Sequence, residues 1–493
     1  MHVQIVKRHA SNIITRLKYK PVVGMRFTVE NFGPVRRADV TLGSLTAFVG
    51  PGGTGKSYLA YLIWMLRRME PDWEVLGTGI PESEAFKRVA EEMKEGKTII
   101  SQEAVDELIE HVMRVHAYAF VKMLPEWLKE TFSVEGVGEL VTWGEGRSVL
   151  RVSNDEGTRG FELEICEDGS IRQEGLDNFF EGERFEMRFY REKRKLALLH
   201  DGKELCEGAV EDLNSPEHSL YMFCVIMIPW IFQFVLDEYS PCQAVHMLTD
   251  SRAGFLRVAP SLLRVPVGRE LHLNRPDYEM LSTFTFAGIS PSRLASEKVS
   301  NIADFVEKEL GGRVIIRSLG FMFPEIFFSS KGKEIPALRA HSVVRETAPL
   351  IIYLRHVLKE GMALIIEEPE AHAHPYMQTV IARALAMLSM CGVQVLMTTH
   401  SPLILDELSN LVRLNALDAG EKKEQGYRED EGLDWRSLKV YRFNLDGTVG
   451  EMRVTEEGID EEEFSSVIVE LSNRYADVEE ARWRKLHGRR GDT

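Results

Sequence analysis

Between an apolar, β-branched run, Leu45–Val49, and a stretch whose apolar residues Leu59, Leu62, Ile63 and Leu66 recur at helical spacing stands the octet Gly50-Pro51-Gly52-Gly53-Thr54-Gly55-Lys56-Ser57. Strand, glycine-rich loop and helix in this order predict a phosphate-cradling loop at the carboxyl end of a parallel strand. Glycines let backbone N–H groups curl around phosphate oxygens, and the helix that follows adds the positive end of its dipole. Lys56 is placed to reach the β and γ oxygens, and Ser57 offers its hydroxyl to Mg²⁺. The expected binding set is Gly50, Gly52, Gly53, Thr54, Gly55, Lys56, Ser57 and Tyr58, with ATP and Mg²⁺ as its ligands.

Two further strand ends complete the pattern. Met362-Ala363-Leu364-Ile365-Ile366 is apolar on both faces, as a covered parallel strand must be, and it ends in Glu367-Glu368-Pro369-Glu370. Acids at a strand's carboxyl end face the ligand crevice of an α/β sheet. Glu367 is expected to hold the metal, although Asp is commoner there, and Glu368 to activate the attacking water. The run Val393–Thr399 reads as another buried strand and delivers His400-Ser401-Pro402. A neutral imidazole at that point can hydrogen-bond a γ-phosphate oxygen or the water, so His400 joins Glu368 and Lys56 as a catalytic candidate.

These segments, with Asn31-Phe32-Gly33-Pro34 ahead of the loop, Ala371-His372-Ala373-His374-Pro375 after the acids and Thr398-Thr399-His400-Ser401-Pro402, resemble the ABC-type ATPases grouped with SMC, recombination-mediator and OLD proteins. More narrowly, the chain resembles stand-alone OLD-like "AAA family" ATPases over residues 25–70 and about 245–415. The resemblance implies an α/β P-loop NTPase fold: a mainly parallel sheet flanked by helices, like an SMC head. It also implies a signature segment that one subunit presents to the other's γ-phosphate. Here that segment is Ala340-His341-Ser342-Val343-Val344-Arg345-Glu346, before a helix over Leu350–Leu358, with Ser342 as the phosphate hydroxyl and Val343 where glycine is usual. A helix N-cap at Ser342, with Glu346 beyond it, is a second reading compatible with the first. Thr249-Asp250-Ser251-Arg252 resembles a recurrent Ser-Arg element, with Arg252 directed to the nucleotide, to a partner, or into a salt bridge. His372 and His374 belong by resemblance to a loop at a dimer face. A magnesium-binding Gln has no clear place; Gln102 and Gln233 are the remaining candidates.

The division expected is a leader (1–24), a first core part (25–70), an inserted helical and antiparallel β subdomain (71–245), a second core part (246–455) and a helical tail (456–493). Within the insertion, helices are predicted over 84–95 and 102–130, and strands near 148–152, 160–165, 184–189 and 195–199, with no heptads for a long coiled coil. The uncharged stretch Ser219–Leu236 touches the lower limit of a membrane span. A single crossing would separate Lys56 from Glu368, so a buried helix is expected and no membrane partner. A net charge of −16 excludes a globally cationic nucleic-acid binder and leaves local basic patches, such as Arg191–Lys195 or the tail around Arg482–Arg490, as the means of any DNA contact. Five scattered cysteines read as reduced, buried thiols of a cytoplasmic protein. After Pro402, strands near 439–443 and 449–454 and a helix over 460–484 are expected, without a nuclease domain. The function expected is ATP binding and hydrolysis by a homodimer or higher oligomer that serves DNA maintenance or antiviral defence through a separate effector protein. The alternatives are a nucleotide-sensing module with little turnover and a transporter subunit.

Overall fold

The computed structural model describes residues 24–69, 71–154, 156–157, 160–175, 184–200, 202–225, 245–254, 273–289, 296–317, 324–460 and 465–487. In chain order its main elements are β1 (Arg26–Phe32), β2 (Val35–Thr41), β3 (Leu45–Val49), α1 (Lys56–Arg68), α2 (Trp73–Gly79), α3 (Glu84–Glu95), α4 (Gln102–Phe132), β4 (Arg147–Ser153), β5 (Gly160–Cys166), β6 (Ile171–Glu174), β7 (Phe185–Tyr190), β8 (Lys195–His200), β9 (Lys203–Ala209) and β10 (Val245–Leu248). There follow α5 (Arg275–Ile289), α6 (Glu297–Leu310), β11 (Arg313–Arg317), β12 (Glu325–Ser330), β13 (Lys333–Pro336), α7 (Ser342–His356), β14 (Ala363–Glu367), α8 (Pro375–Met390), β15 (Gln394–Thr399), α9 (Pro402–Arg413), α10 (Ala419–Glu424), β16 (Leu438–Phe443), β17 (Val449–Met452) and α11 (Ser465–His487).

The central sheet has the order β10-β14-β15-β3-β16-β17, parallel except for β17. Its strands are apolar throughout because both faces are covered: β3 and β14 bury all five residues and β15 all six. Leu45, Ala47, Val49, Leu364, Ile366, Val395 and Met397 pack with α7, α8 and α9, whereas Phe48, Ile365 and Leu396 pack with α1 and α4. The period of two along each strand thus divides its side chains between two cores.

The insertion departs from the expected single small sheet. Strand β4 pairs antiparallel with β1, from Arg26 opposite Ser153 to Glu30 opposite Val149, so the sheet β2-β1-β4-β5-β6 joins inserted strands to the hairpin that precedes the phosphate loop. The β1–β2 hairpin has a free edge on β1, and β4 satisfies its backbone groups. Among the described residues of the insertion, only β7, β8 and β9 form a separate sheet, with the cationic Arg191–Lys193 in its first turn and Lys195 paired to Glu204 and Glu207. Helix α7 begins at Ser342, eight residues before the predicted start, and carries Pro349 within it. Residues 219–225 of the apolar stretch are helical, and its remainder lies outside the described residues. No helix among the described residues is long and apolar enough to cross a membrane. Cys224 is buried, but Cys166 and Cys391 are only partly so, all three as free thiols, which corrects the expectation of uniform burial. In the tail, Arg482 pairs with Glu479 and Arg484 with Glu480 along an exposed helix.

The acids Glu429, Asp430 and Glu431 do not share one environment. Glu431 is 1% exposed and accepts from Arg383 at 2.8 and 2.9 Å, while the Arg383 guanidinium lies over the rings of Phe305 and Tyr427. This pair ties α8 to the segment after α10. Removing one member of a buried pair strands the other, which costs about 3–5 kcal/mol. Glu431→Ala is therefore expected to lose about that much stability in urea denaturation; a loss under about 1 kcal/mol would contradict a buried, paired carboxylate.

Candidate functional site

Parallel pairing brings the three sequence elements to one sheet edge. Val49 stands opposite Thr399, and Thr398 opposite Glu367, so the residues after each strand, Gly50, His400 and Glu368, leave the sheet side by side.

The loop after β3 holds its shape through glycines at positive φ: 138° at Gly50, 77° at Gly53 and 98° at Gly55. A Cβ at Gly50 would collide with the Phe443 carbonyl. At Gly55 it would lie 2.5 Å from Val35 Cγ2 and 3.2 Å from Pro34 Cγ. The Asn31–Pro34 turn of the β1–β2 hairpin therefore buttresses the start of α1. A Cβ at Gly52 or Gly53 would meet nothing within 4 Å, so here the loop faces open space. Thr54 closes the loop by donating its hydroxyl to the Pro51 carbonyl at 2.9 Å. Lys56 turns inward and donates Nζ–H to the carbonyls of Gly50 (3.0 Å) and Pro51 (2.7 Å). Burial lowers its pKa to about 8, against the opposing pull of Glu368 and Glu370. Tyr58 places its ring against Gly33 and near Phe32 and Phe132, away from the loop's open side, so its side chain secures the hairpin.

Across the crevice, Glu367 is 2% exposed and its Oε2 accepts from the Tyr61 hydroxyl at 2.8 Å. The Ser57 hydroxyl stands close enough to act on this carboxylate, which draws together the two residues expected at the metal. Burial raises the Glu367 pKa to about 7, against the stabilising influence of Ser57 and Tyr61. Glu368 takes a positive φ of 39°. Its N–H donates to the Thr398 carbonyl at 3.0 Å, and its Oε1 lies 3.3 Å from His400 Nε2. Glu370, given no role by the sequence, accepts from the Thr399 hydroxyl and the His400 N–H, both at 2.7 Å, and so fixes the turn that carries the histidine.

Other candidates lie elsewhere. Ser342 is exposed at the first position of α7, and the N-cap is His341, which corrects the expectation of a cap at Ser342. Val343 lies within the helix, so a β-branched residue there needs no positive φ. Arg345 donates to the Ala340 carbonyl at 2.9 Å and holds the approach to the helix. Arg252, 1% exposed, spends its guanidinium on backbone carbonyls, including those of Glu367 (2.6 Å) and Glu368 (2.7 Å), and forms the expected salt bridge, a long one, with Glu346 at 3.7 Å. Gln102 is bound to Asp106 and the Phe185 carbonyl in the insertion, and Gln233 lies outside the described residues. His374 caps α8 through Nδ1, while His372 faces Glu346 at 3.9 Å. Tyr61 was detectable in principle, since it stands four residues after Ser57 on the same helix face.

Two tests follow from this geometry. Gly50→Ala is expected to destabilise the protein by about 1–3 kcal/mol or more through steric conflict and φ strain, whereas Gly52→Ala leaves stability within about 0.5 kcal/mol and weakens ATP binding. Equal melting temperatures for both variants would refute the assigned backbone. Because the raised acid holds its proton in the folded state, nucleotide-free stability falls as pH rises from about 4.5 to about 7. Glu367→Gln removes this dependence and gains up to about 3 kcal/mol relative to wild type at pH 8 but not at pH 4. Parallel pH profiles in urea unfolding would contradict the buried acid.

Residues 287–405 match the AAA ATPase domain family. No curated protein matches the chain. Among solved structures, the chain is similar to an Smc head bound to the C-terminal winged-helix domain of ScpA, at 12% identity and a TM-score of 0.39, with 87% of this chain and 97% of that one covered. It is also similar to the SMC head domain from Thermotoga maritima (10%, 0.34, 88% and 99%) and to the recombination mediator protein RecF with ATPrS (10%, 0.32, 88% and 99%). The strand order and the three adjacent strand ends carry the fold assignment: the chain has a P-loop nucleoside triphosphatase fold, and its second half contains the match to an AAA ATPase domain.

Proposed function

We propose that the protein binds and hydrolyses ATP as an ABC-type ATPase whose subunits associate when nucleotide is bound. The observation that carries this reading is the convergence of Lys56, the Ser57–Glu367 pair and the Glu368–His400 pair at neighbouring strand ends. The residues suit the ligands. The open side at Gly52 and Gly53 leaves backbone N–H groups for phosphate oxygens, and Lys56 carries the cation. A hydroxyl and a carboxylate side by side at Ser57 and Glu367 are the hard oxygen donors Mg²⁺ takes, and the bound ion would neutralise phosphate charge. Glu368 is assigned the proton of the attacking water, with His400 orienting that water or contacting the γ-phosphate. Ser342, at the exposed start of α7, is assigned to the γ-phosphate of a second copy.

The resemblance to SMC, recombination-mediator and OLD proteins supports a role in DNA maintenance or antiviral defence, with a separately encoded effector as output. A second reading, a nucleotide sensor with little turnover, is favoured by Glu367: an acid whose proton leaves only near pH 7 is a poorer metal ligand below that pH. Steady-state turnover with and without DNA separates the two.

Glu368→Gln is expected to retain ATP and shift the protein toward a dimer in analytical ultracentrifugation, whereas Lys56→Ala abolishes both effects. Equal dimerisation of both variants without ATP would refute the nucleotide-dependent clamp.

A further inference from the structure

Among the described residues Arg252 is the least exposed cation near the site, and it meets that site's backbone. Its Nη1 donates to the carbonyls of Thr249 (3.1 Å) and Glu367 (2.6 Å), its Nη2 to that of Glu368 (2.7 Å) and its Nε to that of Glu346 (3.2 Å). The nearest carboxylate contact is longer, 3.7 Å from Nε to Glu346 Oε2. A planar guanidinium with donors fixed in a fork is suited to holding several carbonyls in one arrangement. That arrangement includes Glu368 at a φ of 39°, which persists only when its surroundings over-determine it; Thr398 holds the N–H and Arg252 the carbonyl.

The fourth carbonyl belongs to a different element. Glu346 lies one turn into α7, four residues from Ser342 and on the same face. Its carboxylate faces His372 Nε2 at 3.9 Å, in the turn that follows the acids. A shift of the α7 start therefore reaches the strand end through one side chain. We propose that Arg252 is a positioning residue that couples the start of α7 to the peptide units of Glu367 and Glu368, so that engagement of Ser342 in one nucleotide site adjusts the water-activating carboxylate of the same subunit's other site. The proposal rests on the ATPase reading above and adds to it a link between the two sites of a dimer.

The test compares wild type, Arg252→Lys, Ser342→Ala and their double variant for ATP affinity, turnover and melting temperature. Lysine keeps the charge but reproduces only part of the fork. Arg252→Lys is expected to bind ATP within about threefold of wild type while turnover falls about 10- to 100-fold, the scale of loss from a displacement of up to 1 Å at reacting groups. In its background Ser342→Ala should cost little more, and any positive cooperativity in ATP present in wild type should disappear. A parallel fall in affinity, turnover and melting temperature, or effects of the two substitutions that simply multiply, overturns the coupling. Should Arg252→Lys not fold, Ser342→Ala alone is read against wild type: turnover is expected to fall and any positive cooperativity in ATP to disappear, and unchanged turnover with unchanged cooperativity overturns the coupling. Absence of turnover in wild type would instead overturn the ATPase reading itself, and the proposal with it.

Discussion

The parallel ladder β14-β15-β3 is the constraint from which the site follows. Parallel pairing aligns carboxyl ends, and the register that sets Val49 opposite Thr399 and Thr398 opposite Glu367 leaves little freedom in where the next residue of each strand can go. Residues separated by more than three hundred positions therefore meet at one sheet edge. The strands remain in place because both faces are buried, and a slip of one residue would exchange the side chains of the two cores.

Placing charge at such an edge has an electrostatic cost that sets the character of each group. Glu367, almost fully buried, holds its proton to about pH 7, and Lys56 loses its proton from about pH 8, so these two groups lie much closer in acidity than they would in water. A divalent cation and a polyphosphate are the partners that would relieve both. Glu368 and His400 are more exposed and stand in mutual contact. Arg252 stays buried because its carbonyl partners are dipoles aimed at it from three segments of chain.

The central architecture was legible because its signals are local. Glycine spacing, uniformly apolar strands and acids at a strand end each need only a few neighbouring residues to be read, and the observed strands β3, β14 and β15 lie within a residue of where the pattern puts them. What escaped detection is nonlocal. Nothing in 147–153 reveals that β4 pairs with β1 across more than a hundred residues, and nothing around Arg252 reveals that its donors end on the carbonyls of Glu367 and Glu368. The direction of the Tyr58 ring is nonlocal too: adjacency to the phosphate loop does not set it, and the helix turns the side chain toward Phe32 and Phe132. Glu431 shows the same limit, since a polar run conceals the one acid that folds inward onto Arg383.

The most direct measurement is the structure of the protein determined with ATP and Mg²⁺ bound. The account predicts the γ-phosphate within about 3 Å of Lys56 Nζ, the metal between Ser57 and Glu367, and Ser342 of a second copy on the same phosphate. Phosphates bound away from the Gly50–Ser57 loop, or a metal with no contact to either oxygen donor, would contradict it.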